Sequence, residues 1–327
     1  MLKVGVVGMG GMGNARLRVA KHNPHVSVVA CCDSDESRRT DAETRHGIRA
    51  FADVDAMFDA EPLDILVVTT PDFAHREPVI MAAEQGCHVL VEKPLATTVE
   101  DAEAMVEAVR KAGVKCHICF QNRFTPQFVV AKRAVDEGKI GSFLSLISRC
   151  NAGRPGQRWA GETTVAWFLL SHSIDLGMWI TGHRPRQVYA TGVRKKLIGS
   201  GILTYDIIHA VITNDDGTDA MYEGSWVLPD AHPGWVFDYE ITGTEGSLRA
   251  LRPLGIDLIS DRHRQVSAEY VSLADEVVGM HVDMFDMFVR SILNDRPPLV
   301  PMEDGLLNTR ILVALHRSLE TGRPEPV

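Results

Sequence analysis

The stretch Gly8-Met9-Gly10-Gly11-Met12-Gly13 constrains this chain more than any other. It is a GxGxxG set between the apolar run Val4-Gly5-Val6-Val7 and the segment Ala15-Arg16-Leu17-Arg18-Val19-Ala20, which reads as a helix. Strand, glycine turn and helix in that order form the context in which such a loop holds a dinucleotide. Gly8 allows the tight turn, Gly10 lets backbone approach a pyrophosphate, and Gly13 lets helix and strand pack closely. The positive end of the helix then faces the phosphates, with Gly11 and Met12 completing the loop. The next strand, read at Val26–Asp33, ends on an acid twenty-five residues past Gly8. A carboxylate near that spacing accepts hydrogen bonds from an adenosine ribose. Ser34 stands beside it, and Arg38 and Arg39 follow five and six residues on. The expected cofactor is NAD; an arginine reaching a 2′-phosphate keeps NADP open.

Size and charge narrow the class. A chain of 327 residues has room for about two domains. Its 45% hydrophobic and 24% charged residues are ordinary for a soluble globular chain. A net charge of −9 disfavours a nucleic-acid partner, which needs a basic face, and an anionic membrane surface. No apolar segment approaches the roughly 20 residues that span a bilayer. The N-terminal apolar residues are a strand broken at once by glycines, not a signal peptide, so the cytoplasm is expected. Cys116-His117-Ile118-Cys119 is formally CxxC. A zinc site would want a second ligand pair, and a redox pair would open a helix. The six cysteines are read as small buried hydrophobes, and no metal site is assigned.

Residues 1–120 alternate strand and helix signals. Strands are read at Lys3–Val7, Val26–Asp33, Asp64–Thr70, His88–Glu92 and Val114–Phe120, and helices at about Asn14–His22, Glu36–His46, His75–Gln85 and Val99–Lys111. Gly47, Gly86 and Gly113 stand where helices end. Unalternating Val/Ile/Leu strands predict a parallel, doubly wound Rossmann sheet with its ligand at the strands' carboxyl ends. Residues 121–327 differ in character. Phe143–Cys150, Gln187–Val193, Tyr205–Thr213, Asp219–Val227, Trp235–Thr242 and Gln265–Leu273 predict a mainly antiparallel sheet. Helices are read near Thr164–Thr181, His281–Asn294 and Glu303–Leu319. An open sheet with one uncovered face predicts a homo-oligomer, dimer or tetramer, through that face.

Three places carry chemistry. Thr70-Pro71-Asp72 ends one strand at the ligand edge, where Asp72 is placed to cap the next helix. His75 is either a cofactor contact or a helix-start residue. Glu92-Lys93-Pro94 ends another strand at the same edge. An ammonium there polarises the oxygen of a reacting alcohol or ketone; the alternative is a lysine paired with Glu92 at a turn. On the helix of the second half, Phe168, His172 and Asp175 stand four and three apart and share a face. A histidine takes the proton that leaves with a hydride; the alternative is a histidine filling an internal contact. In Arg154-Pro155-Gly156-Gln157-Arg158-Trp159, Trp159 suits the C–H face of a sugar and Arg158 a hydroxyl or carboxylate, against plain packing roles.

Over nearly its whole length the chain resembles the Gfo/Idh/MocA oxidoreductases. The carriers are the glycine loop, Thr70-Pro71-Asp72 with His75, the run from Ala83 to Leu95 through Glu92-Lys93-Pro94, Arg123-Phe124-Thr125-Pro126, Gly138-Lys139-Ile140-Gly141, and Ser171-His172-Ser173-Ile174-Asp175. The resemblance implies a Rossmann domain, a C-terminal α/β domain on a large, mostly antiparallel sheet, NAD or NADP, and substrates among sugars, polyols and their derivatives. Lys93 matches the family's catalytic lysine, His172 the histidine of its Asp-x-x-x-His signature, and Asp175 an acid often found three residues beyond. Arg123 and Phe168 join Arg158, Trp159 and His172 as expected substrate contacts.

One position departs. Where the family has aspartate four residues before the histidine, this chain has Phe168, and the preceding glycine-rich run is reduced to Gly161-Glu162-Thr163-Thr164. Either Lys93 and His172 suffice with Phe168 as an apolar wall, or Asp175 orients His172, or the site does altered chemistry or only binds. The expected function is an NAD(H)-dependent dehydrogenase acting on a sugar, an inositol-like polyol or a related hydroxy compound. The alternatives are a non-catalytic dinucleotide-binding regulator and an NAD-dependent glycoside hydrolase.

Overall fold

The chain was analysed as a computed structural model. It describes residues 1–154, 161–229, 232, 235–252, 255–259, 264–267, 271–273 and 276–327, with backbone alone over 251–278. The chain divides into two compact units, Met1–Gln121 with Glu269–Thr309, and Asn122–Ala268 with Arg310–Val327.

The first unit is built on a six-stranded parallel sheet of β1 (Leu2–Val7), β2 (Val26–Cys32), β3 (Arg49–Phe51), β4 (Ile65–Val68), β5 (His88–Val91) and β6 (Cys116–Ile118), in the order β3-β2-β1-β4-β5-β6. It is interleaved with α1 (Gly11–His22), α2 (Glu36–His46), α3 (Val54–Ala60), α4 (Arg76–Glu84) and α5 (Val99–Ala112). Strand order reverses between β1 and β4, so the loops after these two strands flank the switch point where such sheets bind ligands. The interior strands β4 and β5 are almost wholly buried, which is why their sequences do not alternate. The ends of α2 and α5 are written locally. Asp35 and Thr98 accept backbone N–H groups at their N-termini, and Gly47 and Gly113 end them in left-handed conformation. β3 and α3 were not anticipated: a three-residue strand and a seven-residue helix carry too few positions for a period to show.

The second unit holds a seven-stranded sheet of β7 (Phe143–Gly153), β8 (Pro185–Val193), β9 (Ile207–Asn214), β10 (Asp219–Leu228), β11 (Val236–Gly243), β12 (Ser247–Arg252) and β17 (Glu325–Pro326). Its order is β12-β11-β7-β10-β9-β8-β17, antiparallel throughout except for the parallel pair β7 and β10. Helices α6 (Pro126–Asp136) and α7 (Ser171–Thr181) pack on it, and α6 was not read from the sequence. Two hairpins follow, β13 (Gly255–Ile259) with β14 (Arg264–Ser267), and β15 (Val271–Leu273) with β16 (Glu276–Val278). The single strand expected over Gln265–Leu273 is thus divided between two hairpins.

The second of these hairpins and α8 (Met280–Leu293) belong to the first unit, although the sequence reading put everything past residue 120 in the second. The cause is α1: α8 packs on it, and Asn23 at its end donates to Asp286 at 2.6 Å. The last helix, α9 (Met302–Thr321), starts in the first unit and ends in the second. Among the described residues no helix is long and apolar enough to cross a membrane.

Candidate functional site

The glycine loop is shaped as its spacing requires. Gly8 has φ +87°, and a Cβ there would stand 2.7 Å from the backbone of Thr69. A Cβ on Gly13 would collide with the carbonyl oxygen of Gly8. Gly10 and Gly11 differ. At Gly11 nothing lies within 4 Å of a built Cβ, and at Gly10 only the tip of Arg38 does, at 4.0 Å. The protein itself leaves this space open, as backbone that a ligand approaches closely must. Gly10 is also the N-cap of α1, without a side-chain cap and with no acid in the first turn. Helices α2 and α5 have both, so the N-terminus of α1 alone of these three keeps its amides and positive dipole end for an anion.

Asp33 closes the other side of this space. It is buried and accepts the Met9 N–H at 2.6 Å and the Asp35 N–H at 2.9 Å, one on each carboxylate oxygen. Arg38 approaches it at 3.5 Å from an exposed position, and Arg39 binds the carbonyls of Asp33 and Ser34 at 2.9 Å. Arg38 therefore borders the glycine loop, whereas Arg39 braces the turn. The features fit a dinucleotide: an uncapped helix end, an open glycine backbone and an acid beside it.

The loops after β4 and β5 are tied to this frame. Thr69 donates its hydroxyl to the carbonyls of Val7 and Gly8, at 2.9 and 2.6 Å. Thr70 donates to Ala74 O at 2.9 Å. Asp72 opens a short 3-10 turn and accepts the Phe73 N–H at 3.0 Å, while α4 starts only at Arg76. Asp72 thus does not cap that helix. His75 is buried, its Nδ1 at 3.0 and 3.2 Å from the carbonyls of Pro94 and Leu95 and its Nε2 at 3.1 Å from that of Thr70. It pins the Thr-Pro loop to the loop after Lys93. Burial pushes its pKa below the ordinary value, so the neutral ring is favoured.

Lys93 follows β5, and its bond to Pro94 is cis. The carboxylate before it is held by a buried arginine. Glu92 receives Arg16 Nε at 2.8 Å and Arg16 Nη2 at 2.6 Å, with both side chains almost wholly buried. Removing one partner of such a pair costs about 3–5 kcal/mol. The polar atoms of Glu92 and His75 thus hold protein groups.

In the second unit the helix expected over Thr164–Thr181 is not uniform. Ala166–Leu170 form a π turn, closed by Ser171 N–H to Ala166 O, before α7 begins. Such turns recur at functional sites. His172 lies in the first turn of α7 and is buried. Phe168 is half-buried, stacked on Trp226 at 6.0 Å and edge-on to Trp235 at 6.2 Å. Trp167 stacks on His316 at 4.9 Å, and His316 Nε2 meets the Thr164 hydroxyl at 2.8 Å, fixing the entry to the turn. Asp175 binds Arg123 through both carboxylate oxygens, with Nε at 3.0 Å. Both are buried, and Arg123 also lies over Trp179 at 5.8 Å. The strong attraction between these two buried charges binds each to the other. Arg158 and Trp159 lie outside the described residues. Arg16, His281, Trp226, Trp235 and His316 were missed; only Arg16 carried a signal, standing with Gly13, Leu17 and Ala20 on the inward face of α1.

A Rossmann unit with an anion-ready glycine loop, joined to a unit built on a large mixed sheet, defines a dinucleotide-dependent oxidoreductase. Residues 2–120 match the model of the oxidoreductase family with a NAD-binding Rossmann fold, and residues 128–249 match the GFO/IDH/MocA C-terminal domain. The chain belongs to the Gfo/Idh/MocA family. It is 24% identical over 335 residues to scyllo-inositol 2-dehydrogenase (NAD(+)) of Bacillus subtilis, covering 99% of this chain and 95% of that one. It is 26% identical over 336 residues to D-apiose dehydrogenase of Paraburkholderia graminis, covering 98% and 88%. The crystal structure of scyllo-inositol dehydrogenase from Lactobacillus casei with bound NAD(H) and scyllo-inositol shares the fold, with TM-score 0.84 and 22% identity over 100% of this chain and 99% of that one.

Proposed function

We propose that the protein is an NAD(H)-dependent dehydrogenase that oxidises or forms a CH–OH group on a sugar, an inositol-like polyol or a related hydroxy compound. The observation that carries this is the uncapped N-terminus of α1, with open backbone at Gly10 and Gly11 and Asp33 at its side. Gly8, Gly10, Gly11, Met12 and Gly13 would hold the pyrophosphate; Asp33, Ser34 and Arg38 the adenosine ribose; Thr70, Pro71 and Lys93 the nicotinamide side. The bound dinucleotide supplies hydride transfer. Inositol and apiose dehydrogenases among the relatives support the substrate class.

The chain's own groups do the rest. Lys93 binds the reacting oxygen and draws electron density from it. His172 exchanges the hydroxyl proton; an imidazole, titrating ordinarily near 6.5, suits that exchange at neutral pH. Asp175 and Arg123 fix the turn of α7 that carries it. Six buried free thiols accord with a reducing cytoplasm; burial raises Cys31 to about 11 and Cys32 to about 12. Oligomerisation is assigned to the exposed sheet face of the second unit.

Phe168 in place of an acid favours one rival, a regulator that binds the dinucleotide without turnover. The decisive experiment is a screen of sugars, inositols and sugar acids with NAD and NADP, on the wild type and Lys93→Met. Wild-type turnover, abolished in Lys93→Met, is expected, with NAD affinity nearly unchanged because the lysine borders the nicotinamide and the phosphates are held elsewhere. Loss of an interaction made in the transition state lowers kcat and kcat/KM together. Activity retained within about tenfold, roughly 1.4 kcal/mol of barrier, would remove Lys93 from the mechanism.

A further inference from the structure

Arg16 lies one turn past Gly13 on α1, the helix whose N-terminus faces the glycine loop, yet its side chain is only 1% exposed. Its Nε donates to Glu92 Oε1 at 2.8 Å, Nη2 lies 2.6 Å from the same oxygen as an ion pair, and Nη1 meets His281 Nδ1 at 2.7 Å. Because a guanidinium only donates, His281 accepts through Nδ1 and is held as the neutral ring. Glu92 in turn accepts the Lys93 N–H on Oε2 at 3.4 Å and the thiol of Cys119. The carboxylate next to Lys93 is thus compensated by a cation from the dinucleotide-binding helix, in a buried setting where charges act strongly on each other.

We infer that Arg16 is a positioning residue for Lys93: it fixes Glu92, and through Glu92 the main chain and the local charge on which the lysine depends. This rests on the catalytic assignment of Lys93 made above. The ion pair also links helix α1 to the reacting end of β5 through one side chain. Among the described residues, the charged and titratable groups about Glu92 include Arg16 of α1, Cys119 beyond β6 and His75 before α4, with His281 of α8 set behind Arg16. Burial favours the neutral His75 ring and the Cys119 thiol, so Arg16 brings a full positive charge to the carboxylate.

The consequence is a sign test. Removing Arg16 leaves Glu92 uncompensated and favours the ammonium of Lys93; removing the charge of Glu92 leaves Arg16 uncompensated and disfavours it. The titration midpoint of Lys93 is to be read by pH-dependent labelling with an amine-acylating reagent, quantified on the Lys93 peptide by mass spectrometry. Arg16→Met is expected to raise the midpoint by about one pH unit and Glu92→Gln to lower it by a similar amount. The double variant is expected to restore it while kcat stays at least tenfold down, because the anchor of the main chain is gone. NAD affinity is expected to stay within threefold throughout. Midpoints that do not move, or that move in the same direction in both single variants, overturn the inference. If Arg16→Met does not fold, Glu92→Gln and the neutral double variant carry the test: a lowered midpoint that the double variant fails to restore refutes it. The labelling needs no substrate, so a wild type that binds NAD and oxidises nothing would sink the proposed function and still leave this result readable.

Discussion

Both carboxylate oxygens of Asp33 already accept backbone N–H groups, from Met9 and Asp35, so the acid shapes the glycine loop as well as bordering it. Oδ1 keeps a second lone pair, enough to accept a ribose hydroxyl, while Oδ2 also meets Arg38 at 3.5 Å. A 2′-phosphate would bring two negative charges against a buried carboxylate, and Arg38, at 3.5 Å and half exposed, offsets only part of that repulsion. NAD should therefore bind more tightly than NADP. Asp33→Ser should lower the NAD-to-NADP affinity ratio at least tenfold, or about 1.4 kcal/mol, and weaken NAD itself because Met9 loses its acceptor. Titration of both cofactors by calorimetry checks this; tighter NADP binding by the wild type would overturn the assignment. Asp33 was legible in the sequence because strand length and glycine spacing fix its place. The partners of Glu92, His75 and Asp175 were not, since they come from residues 76, 19 and 52 positions away that only the folded chain brings near.

Local signals fixed α2 and α5 nearly to the residue, for caps act within a few positions. The helix carrying His172 shows where such signals end. Trp167-Phe168-Leu169-Leu170 reads as ordinary helix, and a π turn leaves no mark in composition. Yet the i to i+5 bond from Ser171 to Ala166 alters the angular step between residues 168 and 172. The phenyl ring packs among Trp226 and Trp235. Phe168→Asp should set a carboxylate against two indoles and destabilise the protein by about 1–3 kcal/mol. It should also weaken binding of the native substrate and change the pH–rate profile, with no gain in kcat/KM on that substrate. Urea unfolding and steady-state kinetics measure these together. Polyol oxidation switched on by Phe168→Asp in an otherwise inert protein would replace the dehydrogenase assignment with that of a regulator.

At the scale of the molecule, the change from alternating β and α to consecutive strands told two units apart. It could not tell that residues 269–309 return to the first, because the apolar face of α8 (Met284, Phe285, Phe288 and Val289) names no destination. Most strands of the second sheet were legible, and its outward face carries the clearest quaternary signal. Strand register sets Glu240, Ile147, Met221, Val211 and Tyr189 side by side across five strands, so four apolar side chains form one rung. Ile147, Met221 and Tyr189 are each more than 40% exposed. The next rung is polar, with Arg149 paired to Asp238 at 3.2 Å and His209 hydrogen-bonded to Glu223 at 3.2 Å. An apolar stripe bordered by polar pairs is the composition of an interface core and its rim. A two-fold contact through this face would meet itself, so one substitution enters twice. Met221→Lys, at the centre of the rung, would bury two ammonium groups without partners, a cost of several kcal/mol. In the free chain the same lysine stays in water. Light scattering should therefore show the wild type as a dimer or tetramer and Met221→Lys reduced towards the 36.0 kDa of one chain, with its circular dichroism unchanged. A wild type that is monomeric at micromolar concentration, or a variant of undiminished mass, would mean that the rung faces solvent and that the assembly, if any, uses another surface.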